Sequence, residues 1–184
     1  MMKISTGALA LLSTIFLVGG PNVSRAETRT MTQPAPSYGK TAPVENPSEK
    51  PDPTLDYKVV MSVTKAGEAG APPPALEKAA RLVNLLAQSG VPTAHRHIVV
   101  VIHGPATFAV LTAAGMTARG KGANSSQELI AQLKASGVRV DVCGQALAGA
   151  KIARSEVLPD VQVDLSALTT LSTLQLKGYA LIPD

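Results

Sequence analysis

The chain's one cysteine, Cys143, closes a strand-like run at 138–142 and is followed by Gly144 and Gln145. A thiol at the end of a strand and the start of a helix meets free N–H groups and the positive end of a helix dipole. These favour the thiolate, the nucleophilic form. Gly144 permits the tight turn that such a junction needs. An apolar run, 98–102, delivers His103, Gly104 and Pro105 in the same way. In an open parallel sheet, ligands gather beyond the carboxyl ends of the strands, so two neighbouring strands would bring His103 and Cys143 to one rim. An imidazole there would give the thiol a proton partner. The competing account is an inert cysteine, because free Cys packs as a small hydrophobe. Position alone leaves both open.

Other constellations are weaker. Residues 115–122 nearly spell a P-loop, but Gly122 stands where the magnesium-holding Ser/Thr belongs, and no strand-like run precedes it. His95 and His97 alternate and could join His103 or Cys143 around a transition metal, yet their spacing fits no known ligand signature. Neither a metal nor a cofactor is expected. Asp141, Asp160 and Asp164 are separated by strands and turns, so no carboxylate pair with glycosidase-like placement is expected either.

These residues need a scaffold, and the hydrophobic pattern supplies one. Strands are predicted over 57–63, 98–102, 138–142, 161–165 and 179–182, the second apolar on both faces as a central parallel strand must be. Between them, helices are predicted over 75–89, 107–114, 145–157 and 167–177. One more is predicted from a Ser125/Glu128 capping box through Ala135. Alternating strands and helices of these lengths imply right-handed crossovers and an α/β fold: a single domain with a central, mostly parallel sheet flanked by helices on both faces. Leu168, Leu171, Leu174 and Leu176 cover more than one face of the last helix, which suits a subunit contact as well as core packing.

The ends of the chain bear on its compartment. Residues 1–26 read as a cleavable signal peptide, with Lys3, an apolar run of about 11 residues and Ser24-Arg25-Ala26 as the cleavage site. That run is short of the roughly 20 residues a spanning helix needs, so no stable membrane insertion is expected. The expected location is periplasmic or secreted. Residues 27–56, rich in Pro and poor in large aliphatics, read as a flexible tether, and 57–184 as the folded domain. Removing Lys3 and Arg25 leaves about +2 of the formal charge of +4, and with no Trp, two Phe and three Tyr the chain lacks a base-stacking platform. Nucleic-acid binding is not expected.

Several segments together resemble the DsrE/DsrF-like family of sulfur-relay proteins, and in particular an exported branch of it. They are 99–106, Asn124 with 128–134, 137–147, Leu158-Pro159 with 165–168, and 175–183. The resemblance implies a compact α/β fold, assembly into homo-oligomers such as trimers or hexamers, and a cysteine that carries persulfide sulfur. Cys143 falls at the family's cysteine, and His103 and Asn124 at its recurring polar positions, with Gly104, Gly144 and Gln145 beside them. The implied function is a sulfur carrier, at most sulfurtransferase-like, that accepts sulfane sulfur from a donor protein and passes it to an acceptor. The alternative is a non-catalytic oligomeric binding module with a cleft for a small molecule or a partner protein, in which Cys143 is inaccessible.

Overall fold

A computed structural model describes Met1 and residues 36–184. The rest of the expected signal peptide lies outside the described residues. Five strands form one sheet in the order β4-β3-β2-β1-β5: β1 (Tyr57–Val63), β2 (Arg96–Ile102), β3 (Arg139–Cys143), β4 (Gln162–Asp164) and β5 (Ala180–Ile182). Every pairing is parallel.

The helices are α1 (Pro74–Gln88), α2 (Ala113–Ala118), α3 (Gln127–Ala135), α4 (Gly144–Gly149) and α5 (Ala167–Leu176). Their placement follows from crossover handedness. The steps β1 to β2, β2 to β3 and β3 to β4 move one way across the sheet, so right-handed connections lay their helices on one face. The step from β4 back to β5 reverses direction, and α5 lands on the other. Two apolar clusters result. The large one joins Val59, Met61, Val100, Ile102, Val140 and Val142 to Leu76, Val83, Leu129 and Leu133 of α1 and α3. The small one, beneath α5, holds Val60, Val99, Val101, Cys143, Ala167 and Leu174. Burial on both faces explains why β2 reads as an unbroken apolar run.

Helix α1 forms because Pro74 fits its first turn and Leu76, Ala79, Ala80, Val83 and Leu86 recur on one buried side. It stops before Gly90, whose φ of +80° suits glycine.

Three expectations change. The predicted helix at 107–114 is a 3-10 turn over Gly104–Val110 followed by α2. The Ser125/Glu128 capping box is absent: Ser126 is the N-cap of α3 and makes no side-chain cap, while Asn124 Oδ1 accepts from the Ser126 N–H in a short turn. The helix predicted over 145–157 ends at Gly149, because Lys151 takes a φ of +51° and a 3-10 turn at Arg154–Glu156 follows.

The Pro-rich stretch also departs from a loose tether at its described end. Asn84 of α1 donates through Nδ2 to the carbonyls of Pro36, Tyr38 and Gly39, and Gly39 donates its N–H to Glu77. Tyr38 packs on the large cluster. Gly39 has a φ of +67° and passes so near α1 that an added Cβ would lie 2.2 Å from the Arg81 nitrogen. One buried asparagine thus holds a segment with almost no aliphatic side chains of its own.

Candidate functional site

Cys143 ends β3 and is the N-cap residue of α4, at the expected strand-to-helix junction. Gly144 is needed there because β4 runs close by: an added Cβ would meet the Asp164 carbonyl oxygen at 2.6 Å. The thiol is free but only 5% exposed, within the aliphatic cluster beneath α5. Helix α4 spans six residues, so the helix start expected to favour the thiolate is a short one.

His103 follows β2. Because Ile102 and Val142 are in register, His103 and Cys143 occupy the next rung of neighbouring strands, on the face that carries α5. The imidazole turns the other way. Its Nε2 lies 2.9 Å from Ser62 Oγ on β1, the strand on the far side of β2 from β3. Burial lowers its pKa, with the Asp184 carboxylate partly opposing the shift. Burial alone would raise the Asp184 carboxyl, but the N–H groups of Lys65 and Thr64 and the Thr64 hydroxyl bring it down to about 2. The rim therefore holds a cluster of Ser62, His103, Thr64 and Asp184 that sequence spacing does not reveal, because it joins three distant parts of the chain.

Two carboxylates also converge on the α5 face. Asp141 is fully buried, two residues before Cys143 on the same side of β3, and pairs with Arg139 at 2.9 Å. Burial pushes its pKa up to about 6, Arg139 opposes the rise, and the carboxylate of Asp164 reinforces it. Asp164 is in register with Cys143 and accepts from Thr170 Oγ1 of α5 at 2.7 Å. Asp141 and Asp164, which the sequence separates by strands and turns, thus come together on paired strands. The alternating Arg139 and Asp141 gave a local signal, but Asp164 joins them only through the register of β3 and β4.

The other predicted residues have mainly architectural places. Gly104 has a φ of +57° where the chain turns off β2, a conformation that favours glycine. Asn124 donates to the carbonyls of Ala109 and Leu111 and accepts from Ser126, which commits its amide to the backbone. Gln145 is exposed, with a long 3.4 Å contact to the Leu165 carbonyl. The histidines do not converge: His95 bonds the Pro53 carbonyl, and His97 lies 3.5 Å from Asp56. Among the described residues no group of three His, Cys, Asp or Glu side chains could hold a metal. The near-P-loop is the end of α2 and a loop, with Lys121 Nζ 4.4 Å from the centre of the Phe108 ring.

A cleft of about 760 Å³ opens on the α1/α3 side of the carboxyl rim. The loop at 66–71 forms one wall and residues 121–126 the other, with Pro105, Phe108 and Met116 between them. Cys143 and His103 are not among its lining residues.

The sequence pattern that defines the DsrE/DsrF-like family matches residues 58–183. The chain belongs to the DsrE/DsrF-like family. This DsrE/DsrF-like chain is similar in fold to a protein of unknown function, MTH1491 from Methanobacterium thermoautotrophicum. The two share 20% identity and a TM-score of 0.52 over 70% of this chain and all of the other. It is also similar to the ychN protein of E. coli, at 19% identity and a TM-score of 0.50 over 70% of this chain and 99% of that one. No curated protein matches it. No helix among the described residues is long and apolar enough to cross a membrane.

Proposed function

We propose that this DsrE/DsrF-like protein is an exported sulfane-sulfur carrier, with Cys143 as the carrying atom's host. The observation that carries the reading is the position of the sole cysteine, at the carboxyl end of β3 in a chain of this family. The Cys143 thiolate attacks the outer sulfur of a donor persulfide RSSH. A new S–S bond forms on Cys143, the donor's S–S bond breaks, and the donor leaves as RSH with the proton. No net oxidation occurs, and passing the sulfur to an acceptor thiol repeats the exchange. His103, level with Cys143 on the neighbouring strand, serves as proton partner once its ring leaves Ser62, and α5 must shift to admit the donor.

Mass spectrometry after incubation with polysulfide tests this. One or more added sulfur atoms on the wild type and none on Cys143→Ser are expected. No addition, or equal addition to both proteins, overturns the reading.

The second reading is a non-catalytic oligomeric binding module, favoured by the covered thiol and by Leu165, Leu168 and Leu176, which are 74%, 80% and 90% exposed around α5. Such leucines suit burial against further copies of the chain, in a trimer or hexamer. Light scattering on the eluting protein reads the assembly: a monomer removes this reading.

A further inference from the structure

On the α5 side of the sheet lies a second, smaller cavity of about 250 Å³ that neither reading uses. It forms because α5 packs over β1 and β2, which leaves a groove above β3 and β4 alongside it. Thr169, Thr173 and Lys177, each four residues from the next, make the helix wall together with Thr170. Arg139 of β3 and Asp164 of β4 make the sheet wall. Lys177 follows the end of α5, where the chain returns to the start of β5, so it lies with Arg139 toward the amino ends of the strands. Asp164, level with Cys143, lies at the other end.

The charges in this groove are incompletely matched. Arg139 directs Nε and Nη2 at the buried Asp141, each 2.9 Å from its carboxylate, and its Nη1 has no partner among the described residues. Lys177 makes no ion pair among the described residues. Asp164 accepts from the Thr170 hydroxyl and adjoins the Asp141 carboxyl, yet no cation pairs with it among the described residues. One small cavity therefore holds an ammonium and a carboxylate that do not meet, with a spare guanidinium nitrogen on the cationic side and the Thr173 hydroxyl on the wall between. Unpaired charges of one sign would favour a simple ion. One of each sign, at opposite ends, matches a molecule that carries both. The volume is below the roughly 300–1,000 Å³ of sites for drug-sized ligands, so that molecule is small. A single exposed ion pair contributes little, so recognition depends on both ends being engaged together.

We propose that this groove binds a free α-amino acid as its zwitterion, the carboxylate held by Lys177, Arg139 and the Thr173 hydroxyl and the ammonium by Asp164. The site uses none of the groups assigned to sulfur exchange and stands separately from that reading.

Amide chemical-shift titration of the isotope-labelled full chain with L-serine, an amino acid without a thiol, tests it. Saturable shifts centred on Arg139, Asp164 and α5 are expected. N-acetyl-L-serine, which lacks the ammonium, and ethanolamine, which lacks the carboxylate, should each bind about fivefold or more weaker. Lys177→Gln should weaken L-serine and N-acetyl-L-serine by a similar factor and leave ethanolamine unchanged. Asp164→Asn should weaken L-serine and ethanolamine and leave N-acetyl-L-serine unchanged. Lys177 is exposed, so its variant reads the site even where Asp164→Asn disturbs the fold through Asp141. Shifts that do not saturate or that centre elsewhere, equal affinity for the three probes, or wild-type affinity in Lys177→Gln overturns the proposal. Sulfur uptake from polysulfide by the same sample reports on Cys143, so failure of one function is distinguishable from failure of the other.

Discussion

Asp164 of β4 lies in register with Cys143 of β3, so an acidic residue is a direct cross-strand neighbour of the only thiol. Asp141, two residues back on β3, brings a second carboxylate to the same face. The cysteine thus sits between an aliphatic cluster and a partly compensated acidic pair, with α5 over both. Its availability is a property of α5 as much as of the sulfur.

Leu174 tests the cover. It is buried in the cluster that holds Cys143, on a helix whose only other buried residue is Ala167. Leu174→Ala should cost about 2 kcal/mol, the low end for a buried leucine because this layer is thin. It should also speed alkylation of Cys143 severalfold. Urea midpoints and iodoacetamide labelling of native protein read both effects; an unchanged labelling rate would mean that α5 does not guard the thiol.

Asp141 sets a pH dependence. Its pKa is raised from 3.8 to about 6, so the folded state holds a proton that the unfolded chain releases. The stabilisation tied to that proton is complete below about pH 3.8 and is lost as the pH rises through about 6. The interval corresponds to roughly 3 kcal/mol. Asp141→Asn should flatten the stability profile between pH 4 and 7, measured by urea unfolding at several pH values. A wild-type profile that rises across this window in step with the variant's would contradict the assignment.

Gly144 is held by backbone crowding rather than by torsion. The Cβ of Gly144→Ala would press on the Asp164 carbonyl and force β4 away from the end of β3. A loss of about 1–3 kcal/mol is expected, as for other overpacked sites. Thermal unfolding measures it.

Asn124 distinguishes architecture from binding. Asn124→Ala removes two donated hydrogen bonds and one accepted bond that fix the turn before α3. Destabilisation of about 1–3 kcal/mol should follow, with sulfur uptake at Cys143 unchanged in the folded fraction.

Much of the scaffold is readable from residue patterns alone. The strand at 57–63 emerges from a short β-branched run, and the helix near 75–89 from apolar residues that recur at helical spacing between Pro74 and Gly90. The stretch after Gly149 defeats that reasoning, since Lys151 takes a left-handed conformation that lysine composition does not announce. Cys143 and His103 were found as strand-end residues, but the tilt of the imidazole toward Ser62 depends on β1 lying on its other side. Likewise the link between Asp141 and Asp164 exists only through pairing, and a lone sequence carries no record of register.

The outermost strands, β4 and β5, are three residues each. Borders this brief expose few open amides, which discourages a further chain from extending the sheet edgewise and protects against fibre-like growth. Any neighbour must instead approach broadside, through side chains, and the thinly roofed side of the sheet is where such an approach meets bare leucine.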